Sequence, residues 1–146
     1  MLQQDLKESL KQGDHDRTSA IRFLISRIQY ARIEKQEELT DQDILAVISK
    51  QAKSRRESID AFRAGSREDL AEKETRDLEV ILRYLPAQLG EDAIREVIRG
   101  IIRDEGFSGP ADMGSLMKGA MAKLQGQADG KLVSQLASKE LQRDSD

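Results

Sequence analysis

The chain has 146 residues, a length that fits one domain or two small helical ones. Charged side chains make up 35% and aromatic ones 3%, while Ala, Leu, Glu, Lys and Arg supply 67 positions, a composition of long helices rather than of a β-sandwich or barrel. Zero Cys and one His exclude a thiol nucleophile, a disulfide framework and a Cys-ligated or multi-histidine metal centre, and a net charge of −3 gives no overall nucleic-acid signature.

The periodicity predicts a first helix over Leu2–Gln12, with Leu2, Leu6 and Leu10 on a stripe, and a second over Asp16–Gln36, with Ile21, Leu24, Ile25, Ile28 and Ala31 inward. Thr40 and Asp43 form a capping-box pattern that opens a third helix, whose stripe of Ile44, Val47, Ile48, Ala52, Ile59 and Phe62 ends near Gly65. Ser66 with Asp69 is expected to cap a fourth helix, carrying Leu70, Leu78, Ile81 and Leu82. Pro86 interrupts the pattern, since proline lacks the N–H that a helix needs. Gly90, Glu91 and Asp92 open a fifth helix, with Ile94, Val97, Ile98, Ile101 and Ile102 inward and Gly106 at its end. Asp112 is expected to cap a sixth, with Met113, Leu116, Met117, Ala120, Met121 and Leu124 inward, and Asp129 a seventh, with Val133, Leu136, Ala137 and Leu141 inward. Arg143–Asp146 reads as a frayed end. The expected fold is all-α: an N-terminal bundle of about four helices over residues 1–85, joined to a small three-helix domain over 91–146.

The longest apolar run, Ile44–Ile48, is far too short to cross a membrane, and the residues after Met1 carry no signal-peptide pattern. A cytoplasmic protein with no membrane partner is the expectation. His15 lies between Asp14 and Asp16 in a turn, but without a second His it is expected to be an exposed turn residue. Arg17, Arg22, Arg27 and Arg32 recur every five residues, which turns each one 140° further around a helix, so they spiral instead of forming a basic stripe. Lys50, Lys53, Arg55 and Arg56 precede Glu57 and Asp60, which suits pairing within one helix. Met113, Met117 and Met121 fall at helical spacing and are expected to be core. Gly114 and Gly119 in the same helix suggest a close approach of a backbone or ligand. The Gly126–Gly130 loop is flanked by Lys118, Lys123 and Lys131, and the helix that follows offers free N–H groups. It reads either as a phosphate-binding turn or as a tight interhelical connection capped by Asp129. No nucleotide-binding glycine fingerprint occurs.

Three motifs resemble one family. Tyr84-Leu85-Pro86-Ala87-Gln88-Leu89 is similar to its Tyr-Leu-Pro-x-Gln-Leu signature, Asp112-Met113-Gly114 with Met117 to its Asp-Met-Gly-x-x-Met helix, and Gly126-x-Ala128-Asp129-Gly130 to its Gly-x-Ala-Asp-Gly loop. In this order they resemble the GatB/YqeY family over nearly the whole chain, in its stand-alone, YqeY-like form. The resemblance implies an all-helical fold whose last three helices are similar to the tail of the B subunit of tRNA-dependent amidotransferases, the region that grips tRNA. It links the chain to glutamine-dependent carbon–nitrogen ligase activity, but neither an ATP site nor an amidase Ser–Ser–Lys arrangement is present. No catalytic residue, cofactor or metal is therefore assigned, and catalysis by the chain alone is not expected. The implied partners are tRNA and an amidotransferase or other translation-associated protein. Lys118, Lys123, Lys131, Gly126 and Gly130 are the candidate RNA contacts, and Tyr84, Pro86, Asp112, Gly114 and Asp129 the structural motif residues. Members of the family often carry basic residues where this chain has Ser115 and Gln127. The alternatives are a protein–protein adaptor without RNA binding and a component of a carbon–nitrogen ligase complex.

Overall fold

A computed structural model describes residues 1–144 as seven α-helices and one 3-10 turn, with no strand among the described residues. The helices are α1 (Leu2–Gln12), α2 (His15–Lys35), α3 (Asp41–Ala64), α4 (Glu68–Leu82), α5 (Glu91–Glu105), α6 (Met113–Lys123) and α7 (Gly130–Asp144), and the 3-10 turn, Pro110–Asp112, precedes α6. The chain is all-α, as composition and periodicity require. It divides into two compact units, Met1–Pro86 and Ala87–Asp146. The expected frayed end starts too early at Arg143, because α7 continues to Asp144; positions 145 and 146 lie outside the described residues.

In the first unit, α1 and α2 are joined at Gly13, whose φ of +70° favours glycine, and Asp14 caps α2 by accepting the Arg17 N–H at 3.1 Å. The α2 helix therefore begins at His15, one residue earlier than predicted. The α1 stripe is the larger correction. Leu2 and Leu6 pack inward, but Leu10 is 51% exposed and the buried residue of α1 is Ser9. Leucines spaced by four drift 40° per step, which carries the third one off the contact face. At that end the helices meet through a buried hydrogen bond, Thr18 Oγ1 donating to Ser9 Oγ at 2.8 Å.

Thr40 and Asp43 form the expected reciprocal capping box, and Asp43 also accepts from Lys35 Nζ at 2.6 Å, which closes the α2–α3 turn. The Lys35 ammonium leads the causes that hold the Asp43 carboxyl near 2. The α3–α4 turn differs from expectation. Ser66 does not cap α4 but ends α3, with φ +58° and its N–H on the Arg63 carbonyl, while Arg67 N–H reaches back to Phe62. This is a Schellman closure with serine, in place of the usual glycine, at the left-handed position.

The first core gathers Ile21, Leu24, Ile48, Ala52 and Ile81, with Ala71 fully buried on α4. Arg55 is not part of the pairing expected within α3: it reaches across to Glu74 on α4 at 2.8 Å and lies 4.8 Å from the Phe23 ring centre, because α4 presents its acids to the buried side of α3. The arginines of α2 do spread around their helix: Arg17 pairs with Glu8, Arg27 lies over Phe23, and Arg32 pairs with Glu38.

Tyr84 closes this unit by donating from its hydroxyl to Asp5 on α1 at 2.5 Å. Burial, together with the Asp5 acceptor, pushes the Tyr84 phenol up to about 12. A raised folded value means stability that is complete below an unfolded tyrosine's pKa of about 10 and lost as pH rises through 12. Tyr84→Phe is expected to remove the phenolate that titrates near 12 in an ultraviolet titration, and to cost about 1 kcal/mol. An unchanged titration curve would contradict the assignment.

In the second unit, α5, α6 and α7 enclose Ile94, Ile98, Ile101, Ile102, Leu116, Ala120, Leu124, Val133, Leu136, Ala137 and Leu141. Gly106, at φ +71°, ends α5 as predicted. Met113, Met117 and Met121 are half-buried against this core, to which α6 gives Leu116 and Ala120 and the residue that ends it, Leu124.

Candidate functional site

Two of the sequence motifs meet in the second unit. The segment after Pro86 runs beside the α6–α7 loop. Leu89 N–H donates to the Gln127 carbonyl at 2.9 Å, Gln88 Nε2 to the Gly126 carbonyl at 2.6 Å, and Gln127 Nε2 to the Ala87 carbonyl at 3.4 Å. The loop itself closes through Gln127 N–H on the Leu124 carbonyl at 2.8 Å, with Gly126 at φ +76°. Glycine takes that conformation at the least steric cost. The Gln of the first motif and the Gly of the third are thus one hydrogen-bonded device. This pairing could not be read from spacing, since the residues lie 38 positions apart.

Asp129 opens α7: its carbonyl accepts the Val133 N–H at 3.0 Å and its carboxylate the Lys131 N–H at 3.5 Å. The N–H groups expected to face a phosphate therefore share the helix end with a carboxylate. Asp112 departs from its expected role, because its side chain makes no cap bond to α6 and instead accepts the Ser108 N–H at 2.9 Å. The 3-10 turn before α6 draws the carboxylate back across the loop. Neither helix glycine marks a close approach. A Cβ on Gly114 would meet open space, and one on Gly119 would meet Ile101 at an ordinary 3.6 Å.

Lys118, Lys123 and Lys131 are all exposed. Lys118 and Lys123 line one groove of about 440 Å³ between α5 and α6, floored by Ile101, Phe107 and Gly119. The opposite rim carries Asp104 and Glu105, so the groove's charge cancels. Lys131 stands apart on the first turn of α7. Ser115 lines the same groove, and Gln127 is committed to the loop. His15 is exposed at the start of α2, and the described residues hold no cluster of three metal-ligating side chains.

The family model described as Yqey-like protein matches residues 1–141. The chain belongs to the YqeY-like family. Among relatives, it is 32% identical over 145 residues to "Altered inheritance of mitochondria protein 41, mitochondrial" of Pyrenophora tritici-repentis, covering 97% of this chain and 77% of that protein. It is 34% identical over 86 residues to an uncharacterized protein of Schizosaccharomyces pombe, covering 59% and 70% of the two chains. A shorter stretch of 58 residues is 45% identical to the E subunit of glutamyl-tRNA(Gln) amidotransferase of Thermococcus sibiricus, covering 37% of this chain and 9% of that protein.

These family members overturn the expectation of a cytoplasmic protein. The Pyrenophora relative and those of Eremothecium gossypii and Candida glabrata are mitochondrial by name. The expectation rested on the lack of a signal-peptide pattern after Met1 and of a long apolar segment, and no helix among the described residues is long and apolar enough to cross a membrane. That property does not distinguish one aqueous compartment from another.

Proposed function

We propose that this chain is a non-catalytic accessory module that binds tRNA through its second unit, beside an amidotransferase or another translation-associated protein. The observation that carries the reading is the 45% identity over 58 residues to the E subunit of glutamyl-tRNA(Gln) amidotransferase. The hydrogen-bonded loop at Gly126–Gln127 supports it, because a fixed turn holds Lys123 and Lys131 at either end at little entropic cost on binding. Binding rests on phosphate and shape, since three Phe and two Tyr in the whole chain are too few for a base-stacking platform.

With about three phosphates neutralised, the logarithm of affinity is expected to fall with the logarithm of salt with a slope of about −2 to −3. Changing Lys118, Lys123 and Lys131 to Glu is expected to abolish tRNA binding at low salt with melting unchanged, because all three are exposed. Unchanged affinity in that variant would remove the lysine contact. No binding by the wild type at low salt would remove the RNA reading and favour a protein–protein adaptor.

A further inference from the structure

Arg99 and Arg103 stand one turn apart on α5, and Arg143 lies in the last turn of α7. Together with Ile102 and Glu140 they line a surface pocket of about 310 Å³. Glu140 is buried, 7% exposed, and accepts from Arg99 Nε at 2.9 Å and from a terminal nitrogen of the same guanidinium at 3.1 Å. This bidentate pair fixes the Arg99 guanidinium in the pocket wall, and the Arg99 hydrogen bond holds the Glu140 carboxyl below the usual carboxylate range. Glu96, on the solvent side, is 3.7 Å from Arg99 and does not line the pocket.

Among the described residues that line it, three guanidiniums meet one carboxylate, an excess of two positive charges on a chain of net −3. The lysine groove, by contrast, has two lysines facing two acids. The two places do not merge. At 100° per residue, Arg99, Ile102 and Arg103 centre about half a turn around α5 from Ile101, Asp104 and Glu105.

We infer that the Arg99–Arg103–Arg143 pocket is an oxyanion subsite that takes a backbone phosphate of bound RNA. Planar guanidinium forks match phosphate oxygens in pairs, as a lysine point charge does not. The RNA identity of the ligand rests on the function proposed above, whereas the pocket's affinity for phosphate does not.

The test uses the full chain and the double variant Arg103→Gln/Arg143→Gln, which leaves the Arg99–Glu140 pair in place and changes two exposed side chains. Sodium pyrophosphate, titrated at constant ionic strength, is expected to shift the wild-type backbone amide resonances around 99–103 and 140–143. The double variant should weaken that binding by about tenfold or more, and Lys118→Gln/Lys123→Gln should leave it unchanged. In tRNA titrations the double variant should reduce the magnitude of the salt slope by about 1, the share of one phosphate. The pyrophosphate result decides the pocket: no shift at these residues in the wild type, or equal affinity in the double variant, overturns it. Pyrophosphate binding without tRNA binding would keep the pocket and remove the tRNA reading. The tRNA reading alone survives if tRNA binds while the pocket ignores pyrophosphate.

Discussion

Leu116→Ala is expected to destabilise the second unit by about 3 kcal/mol, enough to unfold most of it at moderate temperature. Leu116 is fully buried at the centre of a core supplied by three helices, and α6 and the residue that ends it add only Ala120 and Leu124 besides. A unit of this size has little stability in reserve, and a cavity beneath α6 cannot close without moving α5 or α7. Met117→Ala, one residue on, should cost about 1 kcal/mol, because Met117 only flanks the core and a thioether chain there is partly solvated. Urea melts followed by the amide resonances of α5 to α7 would show the difference. Equal losses from the two variants would mean that the methionine face, not the Leu116 row, carries the packing.

Arg55→Ala is expected to cost the first unit about 2–3 kcal/mol at neutral pH, and less in acid. Arg55 lies 2.8 Å from Glu74 and 3.9 Å from Asp77, and its guanidinium stacks on Phe23. Asp77 is 8% exposed, and burial raises its pKa, a shift that Arg55 opposes and Glu74 reinforces, with smaller effects from Lys73 and Asp16. A carboxyl whose folded value is raised favours folding below its unfolded pKa, near 4, and loses that contribution as pH rises through the folded value. Without Arg55 the folded value climbs further, so the ionised Asp77 penalises folding most at pH 7. Thermal melts of wild type and variant at pH 7 and pH 4 should therefore differ more at pH 7. An equal difference at the two pH values would place the cost in the lost Phe23 stacking and side-chain packing instead.

The helices were legible because each one's identity is local. The Ile94–Ile98–Ile101–Ile102 stripe of α5, the Thr40–Asp43 capping box and the Gly106 terminus all rest on contacts within about four residues, and each occurs where its pattern places it. The same locality explains the failures. The drift of the α1 leucines was hidden by their regular spacing, and Ser66 showed the composition of a cap without the backbone angle of one. The triplet of methionines does pack against the core, but only half-buried, because spacing reports a helix face and not the depth at which that face sits.

Family membership was readable from three short motifs, while the chemistry around them was not. The sequence by itself determined an all-helical chain, its helix boundaries to within a residue or two, and the absence of any thiol or multi-histidine chemistry, since these depend on composition and on neighbours along the chain. Only the tertiary structure decided that Gln88 holds the Gly126 loop, that Lys118 and Lys123 face Asp104 and Glu105, and that Arg99, Arg103 and Arg143 converge around Glu140. Electrostatic character belongs to side chains that meet across helices, often some 40 positions apart, as Arg99 and Glu140 do. No periodicity within a single helix records which charges another helix will bring beside it.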